Sequence, residues 1–167
     1  PCAIIVKHNN PCGVAKGSTL AEAYDKANMA DRVAAFGGAI ALNRAVDVET
    51  AKLISQNYAE VVAAPSFAEG VMDIFAKKKN LRVMHIKNMT RLQEYDGEKF
   101  VDLKSLIDGG VIAQWSFVPK ARRKEDLVPA HANYQGKDYK ISRLPTEREY
   151  DDLIFGWMVE AGVTSNS

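Results

Sequence analysis

Cysteine is scarce in this sequence: Cys2 and Cys12 are the only two among 167 residues. A disulfide framework is therefore excluded as the basis of the fold, and a reducing cytoplasm is the simpler setting. Long apolar runs are missing as well. None approaches the about 18 residues of a membrane span, and no signal peptide is recognisable. Charge of one sign is not in excess either. The 22 Lys and Arg against 21 Asp and Glu leave a net +1, which gives no general pull toward nucleic acid or a membrane surface. The basic runs Lys77-Lys78-Lys79 and Arg122-Arg123-Lys124 are too short to alter that and read as solvated surface. There is no Walker-type or Rossmann glycine motif, no internal repeat and no low-complexity segment.

Metal-ligand spacing is also lacking. His8, His85, His131, Cys2 and Cys12 form no C-x₂-C or H-x₃-H pair. Pro11-Cys12 matches half of the P-C-x-x-C signature of zinc deaminases, but position 15 is Ala15 and no His-x-Glu precedes it, so zinc is rejected.

What is present is an ordinary globular composition, 47% hydrophobic and 26% charged, long enough for one domain with a sizeable core. The first residues already read as a strand and carry no Met, so the chain is expected to be a piece of a larger protein. Hydrophobic patterning predicts strands at 3–6, 39–42, 61–64 and 81–86. Between them, helices are expected from the capping box Thr19 to Glu22, from Asp47 through Gln56, and from a second box, Ser66 to Glu69. Val14 to Gly17 reads as a loop, and Ala34 to Gly38 as a small-residue turn. Alternating strands and helices with short links are the mark of an α/β layered domain. Beyond residue 87 the pattern changes to shorter strands around Asp108-Gly109-Gly110, with 119–144 expected to be an irregular excursion. A third capping box, Thr146 to Glu149, opens a helix whose stripe of Tyr150, Leu153, Ile154, Trp157 and Ala161 reads as core.

The densest polar chemistry lies at Val6-Lys7-His8-Asn9-Asn10-Pro11-Cys12-Gly13. A buried strand here delivers a fixed cation, an imidazole able to exchange protons near neutral pH and two amides, then a Pro-Cys-Gly turn. Such a loop fits the carboxyl-end crevice where α/β sheets hold ligands; the plainer alternative is a polar turn. Cys12 lies near His8, but no third residue orients the pair, which speaks against a cysteine nucleophile. Amides of the Gly13 loop or of the Gly37-Gly38 turn are candidate phosphate cradles. If Lys7-His8 and Phe36-Gly37-Gly38 share one sheet edge, a ring, amides, a cation and an imidazole converge. That set suits a planar heterocycle bearing a phosphate, and acyl or formyl transfer, where an oxyanion needs a donor and an amine must lose a proton.

The segment Val6 to Ala15 closely resembles the Lys-His-x-Asn-Pro-Cys-Gly segment of AICAR transformylase, the folate-dependent half of a bifunctional purine biosynthesis enzyme whose other half is IMP cyclohydrolase. The likeness continues through Asp31, Ala34 to Arg44, Glu60 to Pro65, Lys77 to Leu81, Asp108 to Gln114 and Ser165-Asn166-Ser167. The resemblance implies a three-layer α/β/α cytidine-deaminase-like domain without zinc, residues 1–167 forming the first subdomain of the transformylase. It implies formyl transfer from 10-formyltetrahydrofolate to the 5-amino group of AICAR, giving FAICAR, in a cytoplasmic homodimer with no nucleic-acid or membrane partner. It assigns Lys7 to the formyl oxyanion, His8 to proton transfer and Asn166 to the transfer step. Asn10, Phe36, Gly37 and Gly38 would line the substrate site, with Glu60 at the carboxamide. By the same resemblance, the family's Arg-Tyr-Gly phosphate-binding segment is expected before Pro1, and most folate contacts after Ser167. The alternative is a non-catalytic module that binds an AICAR-like nucleotide.

Overall fold

The structure, a computed structural model, describes residues 1–163. The chain divides into two compact units, residues 1–96 and the part from Gly97 onward.

The first unit is a five-stranded sheet with helices: β1 (Cys2–Lys7), β2 (Asn10–Lys16), α1 (Leu20–Ala30), α2 (Arg32–Ala35), β3 (Gly38–Leu42), α3 (Val48–Ser55), β4 (Ala59–Ala64), α4 (Val71–Phe75) and β5 (Arg82–His85). The strand order is β2-β1-β3-β4-β5. β1 runs antiparallel to both its neighbours, whereas β3, β4 and β5 are mutually parallel. The expected α/β class holds, with a mixed sheet.

The polar segment does not turn where the sequence indicated. Pro11, Cys12 and Gly13 lie inside β2, and so do Val14 to Lys16, expected to be a loop. The turn is His8-Asn9, with φ of 51° and 66°, closing a two-residue hairpin whose last pair is Lys7 with Asn10. Left-handed backbone at both central positions gives the twist a tight hairpin needs, and Asn tolerates it well. Pro11 is accommodated because β2 is an edge strand and because the ladder shifts there, from Ile5–Gly13 to Val6–Pro11.

Gly13 is required for close packing. A Cβ at this position would fall 1.9 Å from the carbonyl oxygen of Ala27, so α1 could not stay on β2. Gly13→Ala is expected to cost roughly 2 kcal/mol, the order found for overpacking a tight contact, read as a lowered midpoint in urea unfolding. An unchanged midpoint would overturn this account.

α1 follows its prediction. The Thr19 hydroxyl accepts from the Glu22 amide at 3.1 Å, and Leu20, Ala23, Tyr24 and Ala27 are buried. The Glu22 carboxylate accepts from the amide and hydroxyl of Ser18, one residue further back than a capping box would have it, and pairs with Lys26 at 2.7 Å. These bonds hold its pKa down at about 2. The segment read as a turn at 34–38 instead contains the end of α2, capped by Asp31, which accepts from the Val33 and Ala34 amides. The box at Ser66 to Glu69 caps nothing. Its backbone is committed to a parallel bridge with Val46, through Val46 N–H to the Ser66 carbonyl and Ala68 N–H to the Val46 carbonyl. α4 begins only after Gly70, at φ 80°.

One hydrophobic cluster holds alternate strand residues (Ala3, Ile5, Ile40, Leu42, Val62, Ala64) together with Tyr24, Ile54, Val71 and Phe75 from α1, α3 and α4. These helices therefore share one face of the sheet. The intervening residues Ile4, Val6, Ala39, Ala41, Val61 and Ala63 are apolar, half-buried and in register across β1, β3 and β4.

In the second unit, β6 (Val101–Ser105) and β7 (Val111–Trp115) form the expected hairpin, turning at Gly109 with φ 85°. The stretch 119–144, expected to be irregular, contains another: β8 (His131–Tyr134) and β9 (Lys137–Lys140), joined by Gln135-Gly136 with both φ positive. Every residue of β8 and β9 is exposed. With no face to bury, they carry no period-two signal. α5 (Glu147–Glu160) has its full capping box, and the Arg143 guanidinium grips Glu149 with two 2.7 Å bonds, lowering that carboxyl to about 2. Its apolar stripe, however, is not core: α5 has no buried residue, and Leu153 and Trp157 are exposed. Among the described residues from Gly97 onward there is no buried hydrophobic cluster for it to join. No described helix is long and apolar enough to cross a membrane.

Candidate functional site

Lys7 ends β1 at the point where β3 begins, because Val6 pairs with Ala39 in antiparallel register. The expected α/β layering would join these two segments by a parallel β-α-β unit. In such a parallel unit the end of one strand and the start of the next lie at opposite edges. The two loops meet here because β1 is reversed. The site thus lies at the carboxyl end of β1 but at the amino ends of β3 and β4, which corrects the expected carboxyl-end crevice.

Lys7 Nζ donates to the Phe36 carbonyl at 2.7 Å. An ammonium has three donors, so two remain for a ligand or water. The next residue, Gly37, has φ 69°, and its amide donates to the Tyr58 carbonyl at 2.8 Å. A Cβ on Gly37 would stand 2.9 Å from Lys7 Nζ and 3.3 Å from the Tyr58 ring. Glycine therefore serves both the backbone turn and the approach of the cation. Gly38 is held closely too, its absent Cβ lying 2.9 Å from Ile5 and 3.0 Å from the Ala35 carbonyl. The Phe36 ring is 65% exposed and packs on the ring of Tyr58, itself 42% exposed, with centroids 5.1 Å apart and planes tilted by 37°. Two large aromatic faces left open beside a cation form a surface for a flat ligand.

His8 occupies the adjoining turn, exposed. Among the described residues its imidazole has no hydrogen-bond partner. Asn10 is half-buried opposite Lys7 in the hairpin register. Glu60 is exposed on β4, at the irregularity where the ladder passes from Gly38–Ala59 to Ala39–Val61. The structure therefore brings together Lys7, Phe36, Gly37 and Gly38, with His8, Asn10 and Glu60 alongside in sequence and register. Asn166 lies outside the described residues.

Neither candidate phosphate cradle is open as expected. Gly13 is within a strand, and the Gly37 amide is already bonded to Tyr58. Cys12 is held with its thiol 3.4 Å from the Ile5 carbonyl, and burial pushes its pKa up. A thiol kept protonated is a poor nucleophile, in line with the sequence reading. No group of three His, Cys, Asp or Glu able to hold a metal occurs among the described residues.

Sequence reasoning missed Tyr58. It stands between the predicted end of α3 and the predicted start of β4, where nothing but its exposed aromaticity could have marked it. Tyr58 also lines a cavity of about 290 Å³ together with Ser55, Asn57 and Lys77 to Asn80.

Compared with known proteins, residues 1–167 match the family model described as AICARFT/IMPCHase bienzyme. Similar curated proteins include the bifunctional purine biosynthesis protein PurH of Halalkalibacterium halodurans, 41% identical over 169 residues. PurH of Caldicellulosiruptor saccharolyticus is 37% identical over 167 residues, and that of a Thermoanaerobacter species 39% over 169. Each alignment covers 100% of this chain and 29% of the relative, so the chain spans less than a third of the proteins it resembles.

Proposed function

The chain belongs to the AICARFT/IMPCHase bienzyme family, and from that premise we propose that it carries the AICAR side of a formyl-transfer site in purine biosynthesis. The observation that carries the reading is the Lys7 ammonium, fixed on the Phe36 carbonyl beside the open Phe36–Tyr58 ring pair. The substrates are AICAR and 10-formyltetrahydrofolate. The 5-amino nitrogen attacks the formyl carbon, and Lys7 stabilises the oxyanion as it forms. His8 takes the proton of the amine and passes it toward N10 as the N10–formyl bond breaks, leaving tetrahydrofolate and FAICAR. Phe36, Gly37 and Gly38 seat the heterocycle, with Asn10 and Glu60 at its polar edge and Asn166 assisting transfer.

In this reading residues 1–167 are the first subdomain, a three-layer α/β/α cytidine-deaminase-like domain without zinc. The half-buried apolar face opposite α1, α3 and α4 supports a third layer, since such a surface is stable only when covered. Most of the folate site belongs to the remaining part of the protein, which acts as a cytoplasmic homodimer.

The test is to supply the full-length protein carrying this chain with AICAR and 10-formyltetrahydrofolate and follow tetrahydrofolate release. Turnover is expected. AICAR binding by calorimetry with no turnover would overturn the transferase reading in favour of the nucleotide-binding module.

A further inference from the structure

Tyr58 is joined to the candidate site by two contacts, and its ring bounds the space beside Gly37. Its carbonyl receives the Gly37 amide at 2.8 Å. Its ring lies 3.3 Å from where a Gly37 Cβ would stand, and that ring supports Phe36 at a centroid distance of 5.1 Å. Phe36 in turn supplies the carbonyl that fixes Lys7 Nζ. The backbone bond would survive any substitution at position 58; the ring contact with Phe36 would survive only an aromatic one.

The ring is not there to fill a core. Tyr58 is 42% exposed, and Phe36, which it supports, is 65% exposed. Two exposed rings packed at a 37° tilt leave apolar area in water, which a purely structural contact would bury. Among the described residues the Tyr58 hydroxyl has no hydrogen-bond partner, so the phenol oxygen does not explain the residue's placement. What the ring does is limit the motion of Phe36. Without it, Phe36 is an exposed side chain on a short link between α2 and β3, free to change rotamer, and its open face would seldom stand beside the ammonium.

We propose that Tyr58 is a positioning residue for the heterocycle: its ring fixes the plane of Phe36 and so presets the stacking surface next to Lys7. This rests on the formyl-transfer reading for the identity of the ligand, AICAR, though not for the geometry. The demand is for an aromatic ring, not a phenol, at position 58. Ordering the surface before the ligand arrives lowers the entropy cost of binding, so the effect belongs in affinity more than in the chemical step.

The experiment uses the full-length protein with Tyr58→Phe, Tyr58→Leu and Tyr58→Ala. AICAR affinity is measured by calorimetry, and KM and kcat by tetrahydrofolate release. Tyr58→Leu and Tyr58→Ala are expected to weaken AICAR binding about ten-fold, the size of a lost aromatic pair, and to raise KM in step while kcat changes less. Tyr58→Phe is expected to keep the affinity. Because Tyr58→Leu retains apolar bulk, a thermal midpoint close to that of the unmodified protein separates loss of the ring from loss of the fold. Unchanged affinity in Tyr58→Ala, or a Tyr58→Phe as weak as Tyr58→Ala, would overturn the proposal. Unmodified protein that binds AICAR without turnover, with Tyr58→Ala weakened, would uphold the role of Tyr58 and overturn the transferase reading; absence of AICAR binding in the unmodified protein would overturn both.

Discussion

His8→Ala is expected to lower kcat for formyl transfer about 10²–10⁴-fold, the range for loss of a positioned general base, with the KM for AICAR changed only a few-fold. The amine under attack is conjugated to an imidazole carboxamide and is a poor nucleophile, so its proton must leave as the new bond forms. On the proposed reading His8 makes that exchange. It is exposed, next to Lys7, and no described group occupies its imidazole. The same exposure makes the substitution nearly free of packing cost. One complication is local: His8 has φ 51°, and alanine adopts left-handed backbone less readily than histidine or asparagine. His8→Asn resolves it. Asparagine suits the turn but cannot act as a base, so both variants should lose kcat alike, whereas a turn effect would spare His8→Asn. Single-turnover measurement with both substrates bound gives the chemical step directly. A kcat within two-fold of the unmodified protein in both variants would remove His8 from the mechanism.

How far the sequence could be read follows from what each segment does with its backbone and apolar residues. β3, β4, α1 and α3 were legible because each buries a regular stripe and because Thr19 and Asp47 use their side chains as caps in the ordinary way. The reversed β1–β2 hairpin was not. Pro11 and Gly13 look like turn residues, and only an edge position with a shifted ladder lets Pro11 stay in a strand. Gly13 signals close approach to α1, a reason for glycine that the chain alone cannot distinguish from a turn. Ser66 to Glu69 has the composition of a helix start, but the Ser66 carbonyl and the Ala68 amide bond across to Val46, a tertiary demand that local pattern does not contain. At the site, Lys7, Phe36, Gly37 and Gly38 were legible through their chemistry. Tyr58 was not, since its role depends on the parallel register that sets the start of β4 beside Gly38. The stripe on α5 was legible as a stripe; that it is exposed in this chain is a matter of what else must cover it.

Lys7→Ala is expected to lower kcat about 10²–10³-fold, the loss seen when one donor to a developing oxyanion is removed, and to raise the KM for AICAR as well. Two effects are distinguishable. Lys7 Nζ is tethered by a 2.7 Å bond to the Phe36 carbonyl, so its charge is held in place before substrate arrives, and removing it takes away a preorganised donor. The freed carbonyl is one neutral acceptor on a site open to solvent, so the stability cost is expected at about 1 kcal/mol, too little to unfold the protein. Lys7→Arg separates charge from geometry. Arginine keeps the positive charge but replaces a compact ammonium by a planar fork. The fork cannot put a single compact charge where Nζ sits 2.7 Å from the Phe36 carbonyl, so its charge is displaced and spread. If the ammonium acts at a fixed point, Lys7→Arg restores less than a tenth of the lost kcat. If charge alone suffices, it restores most of it, and the geometric part of the argument fails. A Lys7→Ala enzyme keeping more than half its kcat would remove the oxyanion role altogether. The comparison with His8→Asn then decides how the two residues work: an acceptor of the amine proton and a donor to the oxyanion serve the same transition state. The double variant should therefore lose much less than the product of the two single losses, as groups acting as one unit do.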